Sequence, residues 1–226
     1  MLVSRLVTCE SEDLFKKQNY MERFEELKQE LLKRAKDAGA CKDQYARAYS
    51  AQTLKQLMEV CRDNFLWACN NKVLDIDIIA QYHDEFACGE IYANEDVTQG
   101  YLLCSNASVN AYSNASVNAY NNASVIAFDN ASVYAFDNAS VNAYNNASVI
   151  AFDNADVNAY NNASVIAFDN ADVNAYDNAR VEAWDHAYIT SLSVLEVKLS
   201  NYAIYRIREN DTIRYANPKI KFELIE

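Results

Sequence analysis

The strongest constraint on the fold is an eight-residue repeat that occurs ten times in succession from Asn106 to Asp185. Each copy has the form Asn-Ala-x-Val-x-Ala-aromatic-polar, numbered here as positions 1 to 8. A period of eight drifts around a helix of 3.6 residues per turn, so the repeat gives a helix no constant face. Within each octad, Ala, Val and Ala alternate with variable residues at the two-residue period of a strand. Each octad therefore predicts one short strand.

Positions 8 and 1 of consecutive octads predict a tight turn. They are Asp-Asn, Asn-Asn or Ser-Asn in the clean copies, and Asn and Asp tolerate the left-handed backbone that such turns require. The chain has three glycines, Gly39, Gly89 and Gly100, and all lie outside the repeats. Short strands joined by turns, without room for crossover helices, stack as a β-solenoid.

A closed coil needs two octads or three. Octads with Asn at position 5 and Tyr at position 7 alternate with octads containing Ile and Phe across residues 138–185, which favours two octads, or 16 residues, per coil. A triangular coil of three octads is the alternative, since recent duplication of the coding sequence could produce the same alternation. Ala, Val and Ala never vary, whereas positions 3 and 5 accept charges. We therefore expect a thin Ala and Val core with the aromatic residues outside it.

The segment before the repeats predicts three helices within residues 11–90. Apolar residues at intervals of three and four predict a first long helix, namely Met21, Phe24, Leu27, Leu31 and Ala35. A second is predicted from Ala51 to Asn70, with Ser50 as its N-cap and with apolar side chains to pack that include Phe65 and Trp67. A third, shorter helix is predicted after Asp75.

These elements predict an α+β chain: a helical N-terminal domain at residues 1–97, the octapeptide-repeat solenoid at 98–200, and a degenerate coil with a C-terminal cap at 201–226. Open solenoid ends expose strand edges and need caps, and we expect the helical domain to cap the N-terminal end. In the tail, Ile189, Val197, Ile204 and Ile213 are predicted to continue position 4. Arg206, Arg208, Arg214, Lys219 and Lys221 supply charge to this tail, and Pro218 is predicted to interrupt its strand pattern.

Signatures of catalysis and metal binding are missing from the sequence. His83 and His186 lie far apart in the sequence, and no nucleophile motif or glycine-rich phosphate loop occurs. The six cysteines lack C-x-x-C spacing and predict free or buried thiols of a cytosolic protein, namely Cys9, Cys41, Cys61, Cys69, Cys88 and Cys104. We expect no signal peptide and no membrane span, and a protein that is not an enzyme and binds no cofactor or metal.

With two octads per coil, the two predicted faces differ. One carries an Asn ladder at Asn142, Asn158 and Asn174 beside a Tyr ladder at Tyr144, Tyr160 and Tyr176. The other carries an apolar stripe, formed by Tyr134, Phe136, Ile150, Phe152, Ile166, Phe168 and Trp184. Position 8 beside that stripe supplies one carboxylate per coil, and these four residues form the acidic column: Asp137, Asp153, Asp169 and Asp185.

The repeats are strongly acidic. The chain has a formal net charge of -12, and within the octads eight Asp and Glu182 face the single base Arg180, a net of -8. Spread over a rod of about 24 Å, this is roughly one charge per 3 Å, which is close to the linear charge density of one nucleic-acid strand. Such a rod could occupy the basic groove of a nucleic-acid enzyme and would not itself bind nucleic acid. The alternative is that Asp only serves turn chemistry and solubility.

The repeat resembles a known family. The run NASVNAYNNASVIAFD at 138–153, with RDNFLWACNNKV at 62–73 before the repeats, is similar to the octapeptide-repeat proteins of gut bacteria and their phages and prophages. In that family, tandem (D/N/G)-(N/S)-A-(S/T)-V-x-A-(Y/W) copies follow a short helical region, and the resemblance covers the chain from about residue 25. It implies a mobile-element origin and transfers no catalytic residues. Ile and Asn at position 5 depart from the Lys, Arg and Glu expected there.

Together these features predict a non-enzymatic, protein-binding solenoid of phage or mobile-element origin in the cytoplasm of a bacterial host. The expected partner is a host protein, such as a basic nucleic-acid-handling or defence enzyme inhibited by an acidic nucleic-acid mimic. The apolar stripe either packs against the helices or forms a homodimer interface. Two alternatives stay open: a structural, self-assembling repeat module, and a carbohydrate-binding surface made by the Tyr and Asn ladders.

Overall fold

The computed structural model describes residues 2–216, with side chains from residue 20 onward. The chain divides into two compact units, Met1–Gly89 and Glu90–Glu226. This division lies earlier than the boundary expected between residues 97 and 98, because the first strand begins at Ile91. Four residues named above lie outside the described side chains, namely Cys9, Pro218, Lys219 and Lys221.

The first unit is helical in its described part. Its helices are α1 (Leu2–Asp37), α2 (Lys42–Ser50), α3 (Leu54–Asp63), α4 (Phe65–Asn70), α5 (Ile76–Gln81) and α6 (His83–Ala87). The apolar face predicted for α1 forms part of the core, since Phe24, Leu27 and Leu31 are buried. Met21, predicted to belong to the same face of α1, is 45% exposed, so it lies beyond the buried part of that face.

The predicted second helix is wrong at its start and in its middle, whereas its predicted end, Asn70, is the last residue of α4. The helix α3 begins after Thr53, whose side chain accepts a hydrogen bond from the Gln56 N–H at 3.3 Å, so Ser50 is not its cap. The predicted span is interrupted at Asn64, which separates α3 from α4. Trp67, expected to pack, is 38% exposed. Helix α2 is not predicted as a separate element from the sequence.

The start of α5 is as predicted. The Asp75 carboxylate accepts a hydrogen bond from the Ile78 N–H at 2.8 Å and so caps the helix. Its second oxygen lies 2.7 Å from Nη1 of Arg34 on α1. One carboxylate therefore starts α5 and ties it to the longest helix of the unit.

A second ion pair joins α1 to α6. Arg23 donates from Nη2 to Oε2 of Glu85 at 2.8 Å and from Nε to Oε1. Glu85 is 6% exposed, whereas the Arg23 side chain is 43% exposed. The hydrogen bond from Arg23 lowers the pKa of the Glu85 carboxyl below its ordinary value, against the opposing effect of burial.

We expect the Arg23–Glu85 pair to make the helical unit sensitive to acid. Because the folded-state pKa of Glu85 lies below its unfolded value, its stabilisation is present above about pH 4.3 and is lost as the pH falls through the lowered pKa. Glu85→Gln should reduce the free energy of unfolding by about 1–2 kcal/mol at pH 7, and the difference should shrink below pH 4. Urea unfolding across pH measures this. The exposed Asp84→Asn is the control, and an equal loss in both variants would contradict the assignment.

The second unit is a two-sided β-solenoid of parallel strands with roughly seven turns. Its strands are β1 (Ile91–Ala93), β2 (Tyr101–Ser105), β3 (Ser108–Ala111), β4 (Ser116–Tyr120), β5 (Ser124–Ala127), β6 (Ser132–Ala135), β7 (Ser140–Ala143), β8 (Ser148–Ala151), β9 (Asp156–Ala159), β10 (Ser164–Ala167), β11 (Asp172–Ala175), β12 (Arg180–Ala183), β13 (Tyr188–Ser191), β14 (Val197–Leu199), β15 (Ile204–Ile207) and β16 (Thr212–Tyr215).

From β2 to β15, consecutive strands alternate between two sheets. Sheet A has the order β1-β2-β4-β6-β8-β10-β12-β14, and sheet B has the order β3-β5-β7-β9-β11-β13-β15-β16. Neighbouring repeat strands pair at an offset of 16 residues, as Val149 with Val165 in sheet A and Val141 with Val157 in sheet B. The two-octad coil is confirmed, and the triangular three-octad alternative is wrong.

The core between the sheets consists of the invariant residues of the octads. In β8, for example, Val149 and Ala151 are 0% exposed, as is Ala147 just before the strand. Alanine and valine are short, so the two sheets lie close together and the coil closes with only 16 residues. The variable positions 3, 5 and 7 lie on the outer faces and are partly or fully exposed along the regular coils, except Asn118 at position 5 of β4, which is 1% exposed.

The turns follow one geometry. Position 8 adopts a left-handed backbone in the clean octads, with φ of 59° at Asp137 and 56° at Asp153. The Ala155 N–H donates to the Phe152 carbonyl at 3.1 Å and closes the turn, while the Asn154 N–H donates to the Asp137 carbonyl of the preceding coil at 2.9 Å. Non-glycine residues with positive φ are mostly Asn and Asp, which explains how the repeats turn without glycine.

The C-terminal coils follow the prediction only in part. Ile189 and Val197 pair with Val173 and Val181, so both occupy position 4 as expected. Ile204 does not, because Tyr205 pairs with Ile189 and takes the inward place.

The buried Tyr205 needs polar partners for its hydroxyl. That hydroxyl lies 2.7 Å from Ser191 Oγ and accepts a hydrogen bond from the Leu195 N–H at 2.9 Å. Ile213 lies on β16, which runs antiparallel to β15, and is 42% exposed. The reversal ends the parallel stacking of sheet B.

Candidate functional site: an acidic edge and two aromatic ladders

The acidic column lies at the turns that follow the strands of sheet A. Asp137, Asp153, Asp169 and Asp185 each follow a sheet A strand by two residues and occupy equivalent turns of successive coils. All four have the left-handed backbone, with φ between 54° and 59°. The solenoid therefore stacks the four predicted carboxylates in one row.

Hydrogen bonds between coils orient these carboxylates. Oδ2 of Asp137 accepts from the Asn121 N–H at 2.9 Å, Oδ2 of Asp153 accepts from the Asp137 N–H at 3.1 Å, and Oδ2 of Asp169 accepts from the Asp153 N–H at 3.3 Å. At the end of the row, Asn201 Nδ2 donates to Oδ1 of Asp185 at 2.9 Å. Each carboxylate thus satisfies a backbone donor of the preceding coil or an amide of the next.

The opposite edge shows that these bonds do not require a charge. There Oδ1 of Asn161 accepts from the Asn145 N–H at 3.3 Å, and Oδ2 of Asp177 accepts from the Asn161 N–H at 3.0 Å. An amide oxygen and a carboxylate oxygen therefore fill the same place in the turn. Turn chemistry explains the need for an acceptor at position 8, and the same row begins with an amide at Asn121. It leaves the run of four Asp from Asp137 to Asp185 unexplained.

Two further carboxylates belong to the same edge and were missed as site residues from the sequence. Asp156 and Asp172 begin β9 and β11, three residues after Asp153 and Asp169, and they pair with each other in register. Burial, and then the charge of Asp156, raises the pKa of the Asp172 carboxyl. The sequence contains the information needed to find them, because position 8 of one octad and position 3 of the next flank a single turn.

We call this set the acidic edge. It comprises Asp137, Asp153, Asp156, Asp169, Asp172 and Asp185. The other two aspartates of the octads, Asp129 and Asp177, lie at the opposite turns, which follow sheet B strands. Six of the eight repeat aspartates are therefore on one edge.

The apolar stripe lies on the outer face of sheet A. Tyr134 pairs with Ile150 and Ile150 with Ile166 across β6, β8 and β10. Beside them the rings of position 7 stack from coil to coil, with centroids 5.0 Å apart for Phe136 and Phe152, 5.2 Å for Phe152 and Phe168, and 6.3 Å for Phe168 and Trp184. The residues are half-buried apart from Trp184, which is 39% exposed.

The Tyr and Asn ladders lie on sheet B. Tyr144, Tyr160 and Tyr176 stack with centroids 4.8 Å apart and ring planes within 7° of parallel. Burial, followed by the neighbouring Tyr144 and Tyr176, raises the pKa of the Tyr160 hydroxyl. Asn158 Nδ2 donates to Asn142 Oδ1 at 3.1 Å. Since each ring covers the face of the next, the ladder offers little free ring face on which a sugar could pack.

Other candidate groups lie apart from these surfaces. His83 contacts the adjacent Asp84, and His186 stacks on Tyr202 at 5.3 Å. Among the described residues, no group of three or more His, Cys, Asp or Glu side chains could hold a metal. Of the described cysteines, Cys41, Cys61, Cys88 and Cys104 are free thiols, and Cys69 is buried. In the part of the chain that the structure describes, every helix is too short or too polar to cross a membrane.

Comparison of this chain with protein-family models, with curated proteins and with solved structures gives no match in any of the three. The acidic edge and the two aromatic ladders are therefore interpreted from their own geometry.

We expect the oxygen acceptor at position 8, and not its charge, to stabilise the fold. Asp153→Asn keeps both the acceptor and the tolerance for positive φ, so the free energy of unfolding should change by less than about 0.5 kcal/mol. Asp153→Ala loses both and should cost about 2 kcal/mol. Urea unfolding measures the two values, and Asn161→Ala is the matched variant on the opposite edge. A loss in Asp153→Asn as large as that in Asp153→Ala would show that the charge itself is needed.

Proposed function

We propose that this chain is a non-enzymatic protein-binding solenoid whose acidic edge docks into the basic groove of a host nucleic-acid-handling or defence enzyme and inhibits it as a nucleic-acid mimic. The observation that carries the proposal is the placement of six of the eight repeat aspartates on one edge. The opposite edge uses Asn145 and Asn161 at equivalent turns, so the fold does not demand this distribution.

The spacing of the charges supports mimicry. Stacked rings place successive coils about 5 Å apart, and Asp137 and Asp185 are separated by three coil steps, or about 14 Å. Six carboxylates within that length give roughly one charge per 2–3 Å, comparable with one charge per about 3.4 Å for a strand of duplex DNA. Such a row attracts a basic groove from a distance and accelerates association.

Rigidity supports binding as well. The carboxylates of Asp137, Asp153 and Asp169 already accept backbone hydrogen bonds from the neighbouring coil. Their side chains are therefore held before a partner arrives, and less conformational entropy is lost on docking than with mobile carboxylates. Arginine and lysine side chains of a partner would approach the row from the solvent side.

The remaining parts of the proposal rest on sequence. The resemblance to octapeptide-repeat proteins of gut bacteria and their phages supports a mobile-element origin and a bacterial host. Free thiols are typical of a reducing compartment, which supports a cytoplasmic location. The lack of catalytic motifs in the sequence supports a binding role without enzymatic activity.

We predict that neutralising the acidic edge weakens partner binding more than neutralising the opposite edge. Asp153→Asn with Asp169→Asn removes the same charge as Asp129→Asn with Asp177→Asn. Competition with fluorescent duplex DNA for purified bacterial RNA polymerase, gyrase and restriction endonucleases measures binding at two salt concentrations. The first pair should lose at least tenfold in affinity for an enzyme that the wild type inhibits, and the second pair less than threefold. Failure of the wild type to compete on any of them, or equal losses in the two pairs, would contradict the proposal.

A second candidate function is self-assembly through the apolar stripe. Self-assembly is favoured by the large apolar residues at positions 5 and 7 of the octads that contain β6, β8 and β10, and by Trp184, which is 39% exposed. Two copies related by a two-fold axis could then bury the same stripe on each chain.

On this second proposal, light scattering gives a mass twice the 25.6 kDa of one chain. Replacing Ile150, Phe152, Ile166 and Phe168 by Ser should halve that mass while circular dichroism shows retained strands. Replacing Asn142 and Asn158 by Ser on sheet B is the control and should leave the mass unchanged. A wild type that stays monomeric at high concentration would exclude the dimer.

A further inference from the structure

The helical unit contains a cavity that the proposed function does not use. Its volume is about 320 Å³. Its floor is formed by buried apolar side chains that include Leu31 of α1, Leu57 of α3 and Leu74. Cys41 and Trp67, both exposed, lie at its rim. The cavity is therefore open to solvent at this rim.

The space exists because α2 is held above the core without entering it. None of the nine residues of α2, all of them described, is buried. The facing side chains Ala35 of α1 and Ala48 of α2 both line the cavity and are too small to fill it. Polar contacts hold α2 in place instead, with Arg47 Nη2 2.7 Å from Asp63 Oδ2 and Asn64 Nδ2 donating to Gln44 Oε1 at 3.2 Å.

The lining indicates the chemistry of an occupant. None of the lining residues, all within the described part of the chain, carries a charged side chain. Asn64, one of the few polar lining residues, also donates to the Val60 carbonyl at 2.8 Å. Burial raises the pKa of the Cys61 thiol to about 12, so this lining residue is neutral at physiological pH. A charged group placed among these side chains would have no partner of opposite charge, whereas an apolar ligand has no polar group to desolvate.

We propose that the cavity beneath α2 is a binding site for a compact, uncharged, apolar small molecule. Its volume lies within the range of small-molecule sites, about 300–1,000 Å³, which are also mainly apolar. The floor provides contact on the side of α1, α3 and α4, and Tyr45 and Ala48 of α2, which also line the cavity, would be covered further by a ligand.

The test uses camphor, naphthalene and octan-1-ol as uncharged probes and camphorsulfonate as the charged counterpart of the first. The chain has two tryptophans, so Trp184→Phe leaves Trp67 at the cavity rim as the single fluorescent reporter. At least one uncharged probe should bind saturably with one-to-one stoichiometry by calorimetry, and camphorsulfonate should bind at least tenfold more weakly than camphor. A brominated camphor should quench Trp67 at the same concentrations at which camphor binds.

Filling the cavity should abolish binding. Ala35→Leu and Cys61→Phe enlarge lining residues from two sides and should each weaken binding at least tenfold, while Cys88→Phe, at an exposed cysteine that does not line the cavity, should leave it unchanged. If both filled variants unfold, the quenching of Trp67 decides. The proposal is overturned if none of the three probes binds, if the bound probe does not quench Trp67, or if folded filled variants bind as the wild type does.

Discussion

The left-handed residue at position 8 is the constraint on which the solenoid depends. It reverses the chain after a strand of four or five residues, and its neighbour donates a backbone hydrogen bond to the coil before, as Asn154 does to Asp137. At each such turn a side-chain oxygen can accept the backbone N–H of the preceding coil. Asn and Asp meet both requirements, because they tolerate positive φ and carry an acceptor on a short side chain. The repeats can therefore turn without glycine. Their unfolded chain has less conformational entropy than one with glycine at these turns, so less entropy is lost on folding.

Since the turns and the core are made by positions 1, 2, 4, 6 and 8, the outer positions are free to differ between coils. Sheet A carries Ile150 and Ile166 where sheet B carries Asn158 and Asn174. The rings at position 7 bury part of one another in stacked ladders and so add to a core of small residues. At position 8 an Asn or an Asp oxygen fills the same place in the turn, and position 3 accepts Asp as well as Ser. One edge can therefore become strongly acidic at little cost to the fold, which is the physical basis for the proposal that this edge binds a partner. The cavity of the helical unit is independent of it.

Sequence periodicity was sufficient for the solenoid because each octad repeats the same local problem. The alternation of Asn-Tyr and Ile-Phe octads predicted the 16-residue coil, and invariance of Ala and Val predicted the core. The helical unit was harder. Thr53, three residues before Gln56, has the capping-box pattern that Ser50 lacks, so this signal was present and not used, and α3 begins there with Leu54, Leu57 and Met58 buried. The break at Asn64 and the shallow helix α2 also depend on tertiary contacts. Tyr205, and not Ile204, takes the inward place in the last coil, where its hydroxyl has Ser191 as a hydrogen-bond partner. Asp156 and Asp172 were missed because they occupy position 3, whereas the acidic column was predicted from position 8 alone.

The most direct test of the coil is the distance between nitroxide labels at position 3, in a background without the native cysteines. In the two-sided solenoid, Ser148 and Ser164 are register partners on neighbouring strands of sheet A, whereas Ser140 belongs to sheet B. Labels at residues 148 and 164 should therefore show strong spin–spin broadening, and labels at 140 and 164 should not. Broadening in the second pair and not in the first would indicate three octads per coil. It would contradict the two edges and everything assigned to them.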